Sequence, residues 1–187
     1  GNLIYSGISE SSESSNLYTY EYDEDGNTTS ESYDYDGDGL PDEEATYTYD
    51  DDGNTTSESY YDPHTGEGTT YTYEYDEDGT IIGQTSEYDT DGDGTTDETI
   101  TEDYVYDYVN MTITYSVEED TDGDGTVDET TVYTYNFDEY GYYVQSVDVD
   151  NDGDGTIDEV WEEYTSEEDD DGNIISESYD SDIDGVP

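Results

Sequence analysis

The sequence predicts an all-β fold: a solenoid-like tandem array of β-hairpins with a period of about 30 residues. Three observations carry this reading. Tyrosines alternate with polar residues in short runs, which is the period of a strand with one aromatic face. An Asp-Gly or equivalent turn signal follows each run. No segment shows an apolar helical period with caps.

The elements follow in chain order. Gly1-Asn2-Leu3-Ile4 aligns with Gly172-Asn173-Ile174-Ile175, so residues 1–17 read as a half unit that starts just past a hairpin turn. In unit 18–46, Tyr18, Tyr20 and Tyr22 alternate with Thr19 and Glu21, Asp25-Gly26 marks the turn, and TTSESY at 28–33 is the return strand. Units 47–70, 71–103, 104–132 and 133–163 repeat the pattern, and 164–187 is an incomplete unit of the same single array. The turn position falls at Gly26, Gly53, Gly79, Asn110, Gly141 and Gly172, in steps of 27, 26, 31, 31 and 31. Asn110 stands where glycine is expected, and asparagine is the next-best residue for positive φ. A lone hairpin is marginal in water, so neighbouring hairpins must stack or pair to bury the tyrosine faces.

Composition narrows the function. The 187 residues include 58 Asp plus Glu and no Lys or Arg, for a formal net charge of −58. No Lys or Arg is present to pair with a carboxylate. A basic nucleic-acid footprint is absent, and an anionic membrane surface would repel the chain. Leu, Ile, Val and Phe together number only 24, which with this charge is a signature of disorder. The 25 tyrosines argue the other way, since each can bury a ring and keep its hydroxyl wet. There is no cysteine, and no apolar run approaches the roughly 20 residues of a membrane-spanning helix. The expectation is a fold that depends on bound cations.

The acidic residues are placed to hold those cations. DYDGDGLPDE (34–43), DTDGDGTTDE (89–98), DTDGDGTVDE (120–129) and DNDGDGTIDE (150–159) lie between return strand and next hairpin. Aspartates occupy loop positions 1, 3, 5 and 9: Asp34, Asp36, Asp38 and Asp42; Asp89, Asp91, Asp93 and Asp97; Asp120, Asp122, Asp124 and Asp128; Asp150, Asp152, Asp154 and Asp158. Glycine stands at position 6, and Leu40, Thr95, Thr126 and Thr156 at position 7 would offer backbone carbonyls. These are the first nine positions of an EF-hand-type calcium loop. Position 12 should be a bidentate Glu but is Ala45, Ile100, Thr131 or Trp161, and no helices flank the loop, so this is not an EF-hand. Glu43, Glu98, Glu129 and Glu159 at position 10 are candidate late or supporting ligands. Ca²⁺ suits such a set because it takes six to eight oxygens in flexible geometry, whereas Mg²⁺ wants a strict octahedron and Zn²⁺ wants nitrogen or sulfur. At least four Ca²⁺ sites are expected. Asp180, Asp182 and Asp184 begin an incomplete fifth loop. The stretch 62–70 (DPHTGEGTT) has lost most ligands and reads as a plain turn, and no metal is expected at 9–16. Four Ca²⁺ ions would bring the charge only from −58 to −50, leaving the rest to solvated counterions.

The DxDGDGxxDE loops resemble the aspartate-rich calcium repeats of thrombospondin type 3 and of bacterial surface proteins, without the cysteines of the former. The YTYDDDGNTTSESY units are similar to the YD (tyrosine–aspartate) repeats of RHS-type proteins, with Asn27, Asn54 and Asn173 where that family has Arg after the turn. Both resemblances imply an extracellular, repetitive, structural protein with β-hairpins and wrapped calcium ions. Asn27, Asn54 and Asn110 each begin a glycosylation sequon, all beside a hairpin turn.

The functional expectation is a secreted, calcium-stabilised, tyrosine-rich protein of the cell surface or matrix that self-associates into a filament or fibre. An unpaired hairpin strand at one end and an interrupted acidic loop at the other would allow head-to-tail contact by strand addition, a contact that does not close. The runner-up is an adhesin stalk or carbohydrate-binding module whose tyrosine face meets glycans. A third reading is an acidic ion-buffering or mineral-nucleating protein. No enzyme is expected: carboxylates this abundant make any pair uninformative, and no nucleophile or cation for an oxyanion stands out.

Overall fold

The structure is a computed structural model, and it describes the backbone of residues 3–11, 14–138, 141–161, 163–168 and 174–180 and the side chains of 17–136 and 146–160. All its regular elements are strands: β1 (Leu3–Ser11), β2 (Ser14–Tyr22), β3 (Thr28–Asp34), β4 (Glu43–Tyr49), β5 (Thr55–Tyr61), β6 (Gly68–Tyr75), β7 (Ile81–Asp89), β8 (Glu98–Asp107), β9 (Thr112–Asp120), β10 (Glu129–Asp138), β11 (Gly141–Asp150), β12 (Glu159–Trp161), β13 (Glu163–Glu168) and β14 (Ile174–Asp180). The chain divides into two compact units, residues 1–99 and 100–187. In the first, β1 to β7 lie side by side in chain order; in the second, β8 to β12 do the same, and β13 pairs with β14. The pairs whose register is resolved are antiparallel, so the predicted all-β hairpin array is what forms. The hairpins pair edge to edge.

Local chemistry explains the two kinds of connection. At one end of the strands the chain turns through Asp-x-x-Gly-Asn segments that their first aspartate organises. The Asp23 carboxylate accepts the backbone N–H groups of Asp25 (2.9 Å) and Asn27 (2.8 Å) and the Asn27 amide (2.9 Å). Asp50 does the same for Asp52 and Asn54. Hydrogen bonds from Asn27 and Asn54 hold both carboxyls below the usual carboxylate range. Gly26 and Gly53 take the left-handed conformation, at φ 94° and 87°. In the turn after β8 the expectation for Asn110 fails. Its N–H and amide are both held by Asp107, and the left-handed residue is Met111 (φ 56°), one place later.

The tyrosine face forms, but as a surface of half-buried rings. Strand alternation and register put Tyr18 opposite Tyr33 and Tyr115 opposite Tyr133. Ala45 and Val149 are the only buried hydrophobic residues among the described ones, because the rows of rings cover one another without a second layer closing over them. The same face carries glutamates two residues before a tyrosine, and their carboxylates accept the phenol: Tyr33 donates to Glu31 and Tyr60 to Glu58. Hydroxyls also tie neighbouring hairpins, with Tyr49 donating to the Thr28 carbonyl (2.8 Å) and Tyr75 to the Thr55 carbonyl (2.7 Å). The opposite face is hydroxyl-rich, as in Thr48 with Thr56 (2.8 Å).

These phenols set an alkaline limit. The bond to Glu43, with burial second, pushes the Tyr35 phenol up to about 12. Tyr33 is raised by Glu31, and Tyr60 by burial and then Glu58. A phenol raised in the folded state contributes stability that is full below its unfolded value near 10.0 and is lost as pH climbs towards the folded value. Denaturant melts are therefore expected to be flat in this contribution up to about pH 10 and to weaken above it. A phenolate absorbance titration should show a late-titrating fraction that Glu31→Gln and Glu58→Gln reduce; a single step near 10 for every tyrosine would refute this.

Candidate metal centre

Each acidic loop leaves the end of one strand and enters the next by the same hydrogen bonds. The position-9 N–H donates to the carbonyl just before position 1: Asp42 to Tyr33 (2.7 Å), Asp97 to Tyr88 (2.7 Å), Asp128 to Glu119 (2.7 Å) and Asp158 to Val149 (2.8 Å). This closes a ten-residue ring. The position-9 carboxylate then accepts the N–H of position 2, at 2.6 Å for Tyr35, 2.8 Å for Thr90, 2.9 Å for Thr121 and 3.1 Å for Asn151. Thr90 and Thr121 add their hydroxyls. Those hydroxyl bonds, ahead of the backbone ones, hold Asp97 and Asp128 below the ordinary carboxylate range.

Position 1 is the hub. Asp34, Asp120 and Asp150 are buried, and each accepts the N–H of the position-6 glycine. Asp89 is half-buried and does likewise through Gly94. A buried carboxylate is unfavourable unless donors or a cation compensate it. Asp34 and Asp89 use their second oxygen on the position-4 glycine, at 2.6 Å and 2.8 Å. In Asp120 that oxygen, Oδ1, is buried and accepts no hydrogen bond.

In every loop, positions 1, 3 and 9 bring one carboxylate oxygen each within 4.8 Å of the others: Asp34, Asp36 and Asp42; Asp89, Asp91 and Asp97; Asp120, Asp122 and Asp128; Asp150, Asp152 and Asp158. Two like charges at that separation repel by about 3.5 kcal/mol at an effective dielectric near 20. At Asp152 the balance is visible. The Asp154 N–H pulls its carboxyl down, but the carboxylates of Asp154, Asp158 and Asp150, with burial, leave it above its usual value. The oxygen-only donor set and the unpartnered Asp120 oxygen fit a hard divalent cation.

The position-5 aspartates stand outside these triads. Asp38, Asp93, Asp124 and Asp154 accept the N–H of position 7, that is of Leu40 (2.8 Å), Thr95 (2.9 Å), Thr126 (2.9 Å) and Thr156 (2.8 Å), and so brace the turn. Among the position-10 glutamates, Glu43 accepts the Tyr35 hydroxyl (2.8 Å), while Glu98, Glu129 and Glu159 open β8, β10 and β12. Asp180 ends β14; Asp182 and Asp184 lie outside the described residues. The degenerate loop is a turn closed by Asp62, and Asp62 joins no triad among the described residues. Its His64 lies 3.8 Å from the carboxylate of Asp42. The sequon amides of Asn27, Asn54 and Asn110 each give a hydrogen to the first aspartate of their turn.

One functional feature escapes the sequence reading. In two of the loops the position-4 glycine is where a neighbouring loop's backbone arrives. A Cβ on Gly92 would overlap the Thr65 carbonyl, and one on Gly153 would overlap the Val127 carbonyl. The signal was the glycine that all four loops carry at position 4. Among known proteins, no family model matches this chain and no curated protein is found as a relative.

The two glycines of one loop make a paired test. Gly153→Ala meets backbone as well as a left-handed φ of 65°, and is expected to destabilise by about 2–4 kcal/mol. Gly155→Ala meets open space and suffers only the φ of 86°, about 1–2 kcal/mol. Equal shifts in thermal denaturation would refute the loop-to-loop contact.

Proposed function

We propose that the four acidic loops bind Ca²⁺ and that the chain is a calcium-stabilised structural protein of the cell surface or extracellular matrix. The observation that carries this reading is one network repeated four times, each copy gathering three carboxylate oxygens within 4.8 Å in a chain without Lys or Arg. Bound Ca²⁺ would supply the positive charge these loops lack. The residues supply the rest: position 1 anchors the glycine N–H groups, position 9 closes the ring, position 5 braces the turn, and the paired strands fix the spacing. Ion binding then acts as folding energy, worth about 2.7 kcal/mol per site at a free concentration a hundredfold above Kd. The role is non-catalytic. Self-association into a filament would suit a sheet whose hairpins already pair edge to edge.

A second reading rests on a cleft of about 740 Å³ lined by Tyr35, Tyr60, Tyr61 and Tyr88 beside Asp42 and Glu67. Half-exposed rings next to carboxylates suit sugar stacking with hydroxyl hydrogen bonds, which favours an adhesin or carbohydrate-binding role for this face. Binding to a glycan array that Tyr61→Ala abolishes would support it.

Calorimetric titration with Ca²⁺ decides the main reading. At least four ions are expected per chain, with Mg²⁺ much weaker. Asp120→Asn should remove one of them, and chelation should lower the melting temperature and the strand signal in circular dichroism. A fold and melting temperature unchanged by complete chelation would overturn it.

A further inference from the structure

The second unit holds a row of stacked tyrosines that neither the metal loops nor the turns employ. Tyr115 faces Tyr133 in register on the adjacent strand, with ring centroids 5.5 Å apart and planes at 23°. Tyr104, on β8, stacks on the other side of Tyr115 at 4.8 Å and 20°, the shortest ring separation among the described residues. Tyr135 continues the row from Tyr133 at 6.3 Å and 16°. The cross-strand tyrosine pairs of the first unit meet edge-on instead: Tyr18 with Tyr33 at 81°, Tyr47 with Tyr60 at 90° and Tyr60 with Tyr71 at 72°. In the stacked row one phenol has a base in place, since the Tyr115 hydroxyl donates to the Glu102 carboxylate. Tyr104, Tyr115 and Glu102 are all half-exposed, within reach of solvent oxidants.

We propose that Tyr104 and Tyr115 are an oxidative cross-linking site, coupled through ortho carbons into a dityrosine by a haem peroxidase with hydrogen peroxide. Oxidised phenols are strong acids, so each electron leaves with a proton. Tyr115 gives its proton to Glu102 at hydrogen-bond distance and its electron to the peroxidase, and Tyr104 gives its proton to water and its electron to the same oxidant. The two neutral phenoxyl radicals join by one carbon–carbon bond, and the two ortho hydrogens then move to oxygen to restore both phenols. The sum is two electrons and two protons lost, which reduce one peroxide to two waters. Near-parallel stacking at 4.8 Å lays one ring face over the other, so the carbons that carry the radical can meet; the edge-on pairs do not overlap in this way. The product would lock β8 to β9 covalently.

The test uses the full chain at high dilution, with circular dichroism confirming the fold of each variant. It is treated with peroxidase and peroxide and followed by dityrosine fluorescence. Digestion must rely on an acid-residue protease, because the chain has no Lys or Arg for trypsin. The expected first product is a linked peptide pair joining Tyr104 to Tyr115, two hydrogens lighter than its parts, with an initial rate per chain that does not change on dilution. Tyr104→Phe, which keeps the ring, should abolish that peptide and lower the initial rate severalfold. Glu102→Gln keeps a hydrogen-bond acceptor but loses the base, and should also slow the reaction severalfold. A first product that joins an edge-on pair, or joins two chains, overturns the proposal, and an unchanged rate in Glu102→Gln overturns the role of Glu102. The wild-type peptide map and Glu102→Gln decide the matter even if Tyr104→Phe unfolds.

Discussion

Repulsion among carboxylates with no Lys or Arg to offset it is the constraint on which the rest of this structure depends. Every recurrent feature answers it with a hydrogen-bond donor. Turn aspartates such as Asp23 and Asp50 take backbone N–H groups and an asparagine amide. Loop aspartates at position 9 take the N–H of position 2, and buried position-1 aspartates take glycine N–H groups. Glutamates on the aromatic face take tyrosine hydroxyls. The supply of donors runs short in the loops, where three carboxylate oxygens converge and the Asp120 Oδ1 is left without a partner. That shortfall is why a divalent cation is the natural complement under the proposed reading.

The tyrosines carry two duties that a conventional apolar core would separate. Their rings supply contact area along the sheet, and their hydroxyls satisfy carboxylates or reach carbonyls on the neighbouring hairpin. Leucine or phenylalanine could do only the first. The result is a sheet stabilised by cross-strand rows, in which most rings are half-buried and only two apolar side chains among the described residues are buried. Such a sheet is thin, and its loops and turns must hold register that packing alone would not. The ten-residue ring closed by position 9 does this at the acidic-loop end, and the Asp-x-x-Gly-Asn turn does it at the other.

Much of this was legible in the residues. Alternation of Tyr with Thr and Glu is a local property of a strand, so the strands at Glu43–Tyr49 and Thr55–Tyr61 followed from sequence, as did the turn at Gly53 between them. The spacing of Asp34, Asp36, Asp38 and Asp42 marked them as one candidate ligand set, and the structure brings Asp34, Asp36 and Asp42 together, because a short loop with glycine at its bend has few ways to fold. At position 5 the structure adds a bracing bond: the Asp124 carboxylate accepts the N–H of Thr126 two residues on, as the position-3 Asp122 does for Asp124. Such short-range bonds depend on side-chain rotation, which spacing does not encode. Asn110 was misjudged for a similar reason, since Asp107 holds it and passes the left-handed strain to Met111.

By itself the sequence determined the period, the strand class, the acidic loops and the unbalanced negative charge, all of which follow from composition and from neighbours within a dozen residues. Only the tertiary structure decided how the hairpins meet. It placed Tyr104 and Tyr115 in parallel stacking but Tyr47 and Tyr60 at right angles, and it brought the Val127 carbonyl onto Gly153. Those outcomes depend on register and on the approach of separate strands, and residues 26 positions apart carry no local signal of how their backbones will touch.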